Sequence, residues 1–399
     1  MGTIKALDGN AAIAYGVMRS KVQLVAAYPI TPQTPIVETI SSLIDTKQYD
    51  ATYITVESEH SALSAVIGAA STGVRTFTAS ASHGLALMHE VTGVASASRL
   101  PIVMAVVSRA IPGPMCLWCD HSDIMTQRDQ GWIQLFAESP QEGLDFVMIA
   151  YRASEDERVL TPTMVDIDGF FCSHLTEPVD VPSTEEAERF IAPFAPVNAY
   201  LDTDVPYAID NLTSPAIFTE LKRSQDLGMR AAACVLDERF EEFEAIFGRR
   251  YARVMCDGTE DADTVLICMG SMSGTVRHVV HQLRASGKRV GIARVVCFRP
   301  FPYAEIADAV KHARNVAVID RVSAMGSFGP LYQEVLSAMR INGTQANAYS
   351  FVAGLGGRDI WEQTVEDVFA KAEELGSQGT VVKEPIWIDL KEDEVLTNV

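Results

Sequence analysis

The chain has 399 residues, 48% of them apolar and 21% charged, with 32 Lys and Arg against 52 Asp and Glu for a formal net charge of −20. At about 150 residues per domain this length predicts two or three domains, and the apolar share excludes a disordered or fibrous chain. The excess of acid argues against non-specific binding to nucleic acid or an anionic membrane, and is consistent with solubility or with docking onto a more basic partner.

In chain order, residues 22–28 predict a buried strand and 32–44 a helix with early prolines. A second strand at 51–56 leads into an Ala-rich helix at 58–71, and a third at 75–80 into a helix at 83–98. The apolar run 100–107 is a fourth strand, and residues 140–155 and 162–168 add a helix and another strand. Short strands without strict alternation, separated by helices, indicate a parallel α/β sheet covered on both faces. The pattern breaks over about 190–258, a Pro-, Asp- and Asn-rich stretch followed by a charged helix at 219–246. A second α/β block follows, with strands at 264–270, 289–296 and 315–320 and helices ending at Ser286, at 303–313, at 329–339 and after Asp359. The expected organisation is one α/β domain over 1–190, a linker and helical excursion over 191–258, and a second α/β domain over 259–399.

Seven scattered cysteines form no disulfide framework and suit a reducing, cytoplasmic compartment. Residues 1–16 lack the apolar core of a signal peptide, and the run 100–107 is too short to span a bilayer. No GxGxxG, P-loop, GxSxG or HExxH motif is present. Cys116-Leu117-Trp118-Cys119 is an isolated CxxC, with no second pair or suitably spaced histidine near it, and reads as two small apolar residues at a strand end. His278 and His281 share a helix face without a partner, and the sequons at Asn211 and Asn342 carry no meaning in a cytoplasm.

The polar residues after the first four strands are more informative, because ligands of open α/β sheets lie beyond the carboxyl ends of the strands. Tyr28-Pro29-Ile30-Thr31-Pro32 ends the first strand, its prolines stiffening a turn that presents Thr31. Glu57-Ser58-Glu59-His60 ends the second, Ser80-Ala81-Ser82-His83-Gly84 the third and Ser108-Arg109 the fourth. An arginine directly after a buried strand is either a solvated cap or a carboxylate or phosphate clamp. Each feature alone has a structural explanation; four convergent loops favour a site.

These residues carry a resemblance. The stretches 26–38 (AAYPITPQTPIVE), 56–62 (VESEHSA), 77–90 (FTASASHGLALMHE), 100–110 (LPIVMAVVSRA), 117–134, 166–170 (DIDGF), 294–302 (RVVCFRPFP) and 354–359 (GLGGRD) run through nearly the whole chain. In this the chain resembles the α subunit of multi-subunit 2-oxoacid:ferredoxin oxidoreductases, the family that includes pyruvate:ferredoxin oxidoreductase. The resemblance implies a parallel-sheet domain like the pyrimidine-binding domain of thiamine diphosphate enzymes, followed by a transketolase C-terminal-like α/β domain. It also implies oxidative decarboxylation of a 2-oxoacid to an acyl-CoA, with electrons passed to ferredoxin, or to NAD through a flavin subunit. Thiamine diphosphate would be shared with a β-type subunit, with Mg²⁺, [4Fe-4S] clusters and coenzyme A on β-, γ- and δ-type partners, so that the chain alone is inactive. No metal is expected on this chain.

By the same resemblance Glu59 matches the glutamate that hydrogen-bonds N1′ of the cofactor's pyrimidine, favouring the imino tautomer that removes the C2 proton. Glu57 is its nearby competitor, and a helix cap is the structural alternative for Glu59. Arg109 matches the arginine that grips the substrate carboxylate, with the Thr31 hydroxyl beside it. Pro29, Ile30 and His83 are implied around the cofactor, and Asp120, His121 and Asp123 in a loop near the site.

Two departures stand out. His83 occupies a position where the family commonly has Gln, and the loop Ile111-Pro112-Gly113-Pro114-Met115-Cys116 carries an extra Pro and Gly that alter the pocket's shape. A substrate larger than pyruvate, such as 2-oxoisovalerate or phenylglyoxylate, is therefore an expectation beside pyruvate itself; oxalate is disfavoured because Thr31 is no second positive charge. A scaffold subunit that has lost the chemistry and a transketolase-type transferase are the alternative functions. The intact Thr31, Glu59 and Arg109 set argues against the first, and iron–sulfur absorbance of the purified complex separates out the second.

Overall fold

The computed structural model describes residues 2–196, 200–206 and 208–395. Its elements in order are β1 (Thr3–Leu7), α1 (Gly9–Arg19), β2 (Leu24–Ala26), α2 (Thr34–Asp45), β3 (Thr52–Ile54), α3 (Glu59–Ala70), β4 (Thr76–Ser80), α4 (Ser82–Leu87), α5 (His89–Ala97) and β5 (Val103–Ser108). There follow α6 (Ser122–Thr126), β6 (Ile133–Ala137), α7 (Pro140–Ser154), β7 (Thr163–Asp168), β8 (Glu177–Val181), α8 (Thr184–Phe190) and α9 (Pro215–Phe247). The rest are β9 (Val254–Asp257), β10 (Thr264–Cys268), α10 (Met272–Ala285), β11 (Val290–Val295), β12 (Cys297–Arg299), α11 (Tyr303–Ala309), β13 (Asn315–Asp320), α12 (Pro330–Asn342), β14 (Asn347–Val352), α13 (Glu362–Gln378) and β15 (Ile386–Trp387).

Two compact units result: Met1–Arg253 with Val296–Pro302, and Val254–Val295 with Tyr303–Val399. The first is built on a seven-stranded sheet of order β12-β6-β7-β5-β4-β2-β3, parallel except for β12 against β6. β5 and β7 are buried along their whole length, as central strands covered on both faces must be. A separate antiparallel pair, β1 with β8, completes the sheets of this unit. The long helix α9 also belongs here: beyond its glycine C-cap at Gly248, Arg249 Nε donates to Asp145 Oδ2 of α7 at 2.6 Å, and the Tyr251 hydroxyl to the same oxygen at 2.7 Å. The stretch expected as a linker includes residues 197–199 and 207, which lie outside the described residues.

The second unit has the sheet order β15-β14-β13-β10-β11-β9, parallel except for β9. Its core packs Leu266, Ile292, Ile319 and Phe351 of the strands against Val276, Val280, Val368 and Phe369 of α10 and α13.

Where the sequence predicts one helix over 83–98, there are two, α4 and α5, parted at Met88. The helix expected over 303–313 ends at Ala309. Among the described residues no helix is long and apolar enough to cross a membrane.

Candidate functional site

The ends of β2, β3, β4 and β5 lead into the loops that the sequence marks, and a fifth segment, the loop into α6, ties two of them together. Ser58 is the N-cap of α3, its Oγ accepting the Ser61 N–H at 3.2 Å. One N–H of the helix end is thus satisfied by Ser58 and not by the Glu59 side chain. Glu59 begins α3 with only 7% exposure, and among the described residues no hydrogen bond or ion pair reaches its carboxylate. That carboxylate lies against α4: a Cβ on Gly84 would stand 2.5 Å from Glu59 Oε1 and 2.8 Å from Ser80 Oγ. Only glycine leaves this room. Ser80 Oγ is itself buried and unpartnered among the described residues. A buried acid and a buried hydroxyl left open beside a glycine cradle fit a polar heterocycle better than they fit a protein core. Glu57, in contrast, is exposed and accepts the Ser61 hydroxyl at 2.6 Å.

Arg109 follows β5 and is 3% exposed. Its Nη1 donates to the Thr31 carbonyl at 2.8 Å, its Nε to the Cys116 carbonyl at 3.2 Å and its Nη2 to Met115 Sδ at 3.3 Å. Burial draws its pKa downward, opposed by Asp123 and Cys116. Thr31 thus meets Arg109 through its backbone oxygen and not its hydroxyl. The turn carrying Thr31 is held from below. Asn10 Nδ2 donates to the Pro32 carbonyl at 3.1 Å, and a Cβ on Gly169 would stand 2.5 Å from the Ser108 carbonyl and 2.9 Å from Pro32 Cγ.

Asp123, which the sequence offers only as a loop neighbour, joins the two halves. Its Oδ2 accepts the backbone N–H of Ser82 at 2.7 Å and of Arg109 at 3.0 Å, and its Oδ1 that of Ile124 at 2.7 Å. Ser82, a non-glycine residue at φ +50, is further held by its Oγ on the Ala110 carbonyl at 2.6 Å. One fully buried carboxylate thereby fixes both the segment that packs Gly84 on Glu59 and the start of the Arg109 loop. Burial pushes the Asp123 carboxyl up to about 7 against its three backbone donors, with Asp120 adding to the rise. No motif announces this role, because it depends on two N–H groups distant in sequence.

The remaining expected residues divide. Ile30 is buried, and its carbonyl accepts from Gln33 and Thr34. Pro29 is exposed and lines a cavity of about 410 Å³ with Tyr28, Thr34, Glu38 and Tyr53. His83 is exposed on α4, next to Gly84. Asp120 Oδ1 accepts the Ser122 N–H at 2.9 Å, shaping the loop. His121 is buried and hydrogen-bonded through Nε2 to Asp168 Oδ1 at 2.8 Å.

The CxxC reading needs a correction: a histidine does lie near. The donor atoms of Cys119, His121 and Asp168 come within 4.8 Å of one another, all three residues buried. The third member arrives from the end of β7, which spacing along the chain does not show. With His121 Nε2 hydrogen-bonded to Asp168 Oδ1, the trio makes a buried polar cluster at the β7 end. A larger cavity, about 540 Å³, lies in the second unit beside Cys256, Glu260, Asp308 and His312, and gathers none of the expected residues.

Residues 15–240 match the family described as pyruvate flavodoxin/ferredoxin oxidoreductase, thiamine diphosphate-binding, and residues 262–368 match pyruvate:ferredoxin oxidoreductase core domain II. The chain is 41% identical over 387 residues to pyruvate synthase subunit PorA of Pyrococcus abyssi, covering 97% of this chain and 98% of that one. It is also 41% identical over 391 residues to ketoisovalerate oxidoreductase subunit VorA of Pyrococcus horikoshii, with coverage of 97% and 98%. Among solved structures, a 2-oxoglutarate:ferredoxin oxidoreductase from Magnetococcus marinus matches with a TM-score of 0.70 at 22% identity, over 94% of this chain and 65% of that one. A split-gene transketolase matches at 0.55 with 10% identity, over 94% of this chain and 99% of that one. The last two show a shared fold alone. The chain belongs to the pyruvate flavodoxin/ferredoxin oxidoreductase family.

Proposed function

We propose that this chain is the α subunit of a multi-subunit oxidoreductase that decarboxylates a monocarboxylic 2-oxoacid, with Glu59 on the cofactor and Arg109 on the substrate. The observation that carries the reading is the buried Glu59 carboxylate, uncommitted among the described residues and seated against Gly84. Thiamine diphosphate, when bound, supplies an acidic carbon and a sink for the electron pair left as CO₂ departs.

Glu59 would hold the pyrimidine ring at N1′ and exchange a proton there, a task suited to a carboxyl group with no internal partner. Pro29, Ile30 and His83 would line the ring's surroundings. Arg109 orients the 2-oxoacid by its carboxylate, and its two bonds to the Thr31 and Cys116 carbonyls keep the guanidinium from following the substrate. Since the carboxylate leaves as CO₂, the clamp must not favour the ground state over the transition state. Asp123 sets the position of both elements through backbone N–H groups.

The similarity to the pyruvate synthase and ketoisovalerate oxidoreductase subunits supports an aliphatic 2-oxoacid, which would leave as its acyl-CoA. Partners of β, γ and δ type would carry Mg²⁺, [4Fe-4S] clusters and the coenzyme A site. Ferredoxin, or NAD through a flavin subunit, would accept the electrons. A net charge of −20 repels an acidic ferredoxin, so electrons would leave from another subunit.

The test is a substrate panel on the purified complex, with pyruvate, 2-oxoisovalerate, phenylglyoxylate and oxalate and dye reduction as readout. The reading expects thiamine diphosphate-dependent turnover of pyruvate or 2-oxoisovalerate. Absence of such turnover with every 2-oxoacid overturns it.

A further inference from the structure

We propose that Met115 is the specificity-determining residue of the 2-oxoacid site: its thioether caps the guanidinium of Arg109 until the substrate carboxylate replaces it, and its side chain then bounds the substrate's own. This inference rests on Arg109 as the carboxylate clamp and names what decides which 2-oxoacid that clamp accepts.

Of the acceptors around Arg109, two are backbone carbonyls, of Thr31 and Cys116. The third, on Nη2, is a thioether sulfur at 3.3 Å, a weak acceptor on a flexible side chain. A carboxylate offers a guanidinium an opposite charge and two strong acceptor oxygens where a thioether offers one weak neutral acceptor, so the exchange at Nη2 favours substrate while the carbonyl contacts stay in place. Met115 is 67% exposed, so it can swing away without disturbing a core. Its loop is closed at the base. The Ala110 N–H donates to the Trp118 carbonyl at 3.0 Å, and the Ile111 N–H to Ser122 Oγ at 2.9 Å. Met115 therefore moves on a fixed hoop and stays beside the clamp. Trp118 leaves that hoop toward Phe170, their ring centroids 6.1 Å apart, and supplies an apolar wall at the β7 end. A substrate side chain lodged next to a thioether and this wall is aliphatic or aromatic, and the loop brings no second cation for a dicarboxylic acid.

The experiment compares the assembled complex with its Met115→Ala, Met115→Leu and Arg109→Ala variants on pyruvate and 2-oxoisovalerate. One methylene of pocket space is worth roughly tenfold or more in discrimination. Met115→Ala should raise the kcat/KM ratio of 2-oxoisovalerate to pyruvate about tenfold. Met115→Leu, which keeps the bulk and removes the sulfur, should leave that ratio within about twofold and lower KM for both acids. A ratio unchanged in Met115→Ala, or equal losses on both acids, overturns the proposal. Arg109→Ala separates the two levels: if it retains full kcat/KM, the reading of Arg109 itself fails. If Arg109→Ala loses activity while the Met115 variants behave as the parent, only the present inference fails.

Discussion

At the carboxyl edge of the first unit's sheet, Gly84 lets the Glu59 carboxylate lie against backbone; at the carboxyl edge of the second unit's sheet, Gly329 does the same for Asp320, where a Cβ would stand 2.2 Å from Oδ2. Both acids are buried at strand ends of parallel sheets. They differ in what they hold. Asp320 accepts the backbone N–H groups of Leu331 at 2.9 Å and Tyr332 at 3.2 Å, in the first turn of α12. It is spent on a helix N-terminus, where an anion is stabilised by both the free N–H groups and the dipole. Glu59 starts a helix that Ser58 has already capped, and its carboxylate is left over. A glycine cradle therefore does not identify a functional acid. The absence of an internal use for the acid does.

Four substitutions test the difference between Glu59 and Asp320, in order of falling effect. Glu59→Gln in the assembled complex should cut 2-oxoacid-dependent dye reduction by about 10² to 10⁴, the usual worth of a positioned acid–base group. Asp320→Asn should act on stability instead, by about 1.5–3 kcal/mol for a charge-assisted pair of bonds, with the turnover of the folded fraction retained. A thermal melt beside an activity assay distinguishes these outcomes; an active-site loss from Asp320→Asn would erase the contrast.

Asp123 supplies the pH-dependent step. Its carboxyl is raised from 3.8 to about 7 by burial, so its contribution to stability is present below the unfolded value and is lost as pH rises through about 7. Asp123→Asn removes the titration, so the Tm of the variant minus that of the parent should grow by at least about 2 °C between pH 5 and pH 8. A difference that shrinks with pH would contradict the buried-acid reading. Least affected should be Glu57→Gln: this acid is exposed and bonded to Ser61, and kcat/KM should stay within about twofold. A loss comparable to that of Glu59→Gln would contradict the assignment of the catalytic role to Glu59 alone.

How much of this could be read from the chain depends on how far apart the interacting residues lie. The buried strands 103–108, 163–168 and 264–268 announce themselves through apolar runs. β14 does not, because Asn347-Ala348 opens it with an exposed and a half-buried residue and only its last four are buried. β12 is three residues long and exists through its pairing with β6, more than 160 residues earlier, which no local pattern encodes. The site shows the same limit. Glu59 and Arg109 stand at strand ends and are visible from position. That Arg109 meets the carbonyl of Thr31, that Asp123 binds two remote N–H groups and that Asp168 completes the Cys119–His121 cluster all follow from strand order.

The central claim, that the Glu59 carboxylate activates the cofactor, is tested most directly by hydrogen–deuterium exchange at C2 of thiamine diphosphate. The measurement is made in the assembled complex with Glu59 and with Glu59→Gln, without 2-oxoacid. We expect the exchange to slow by about 10²-fold or more in Glu59→Gln while the cofactor stays bound. Equal exchange rates in the two complexes would contradict the account.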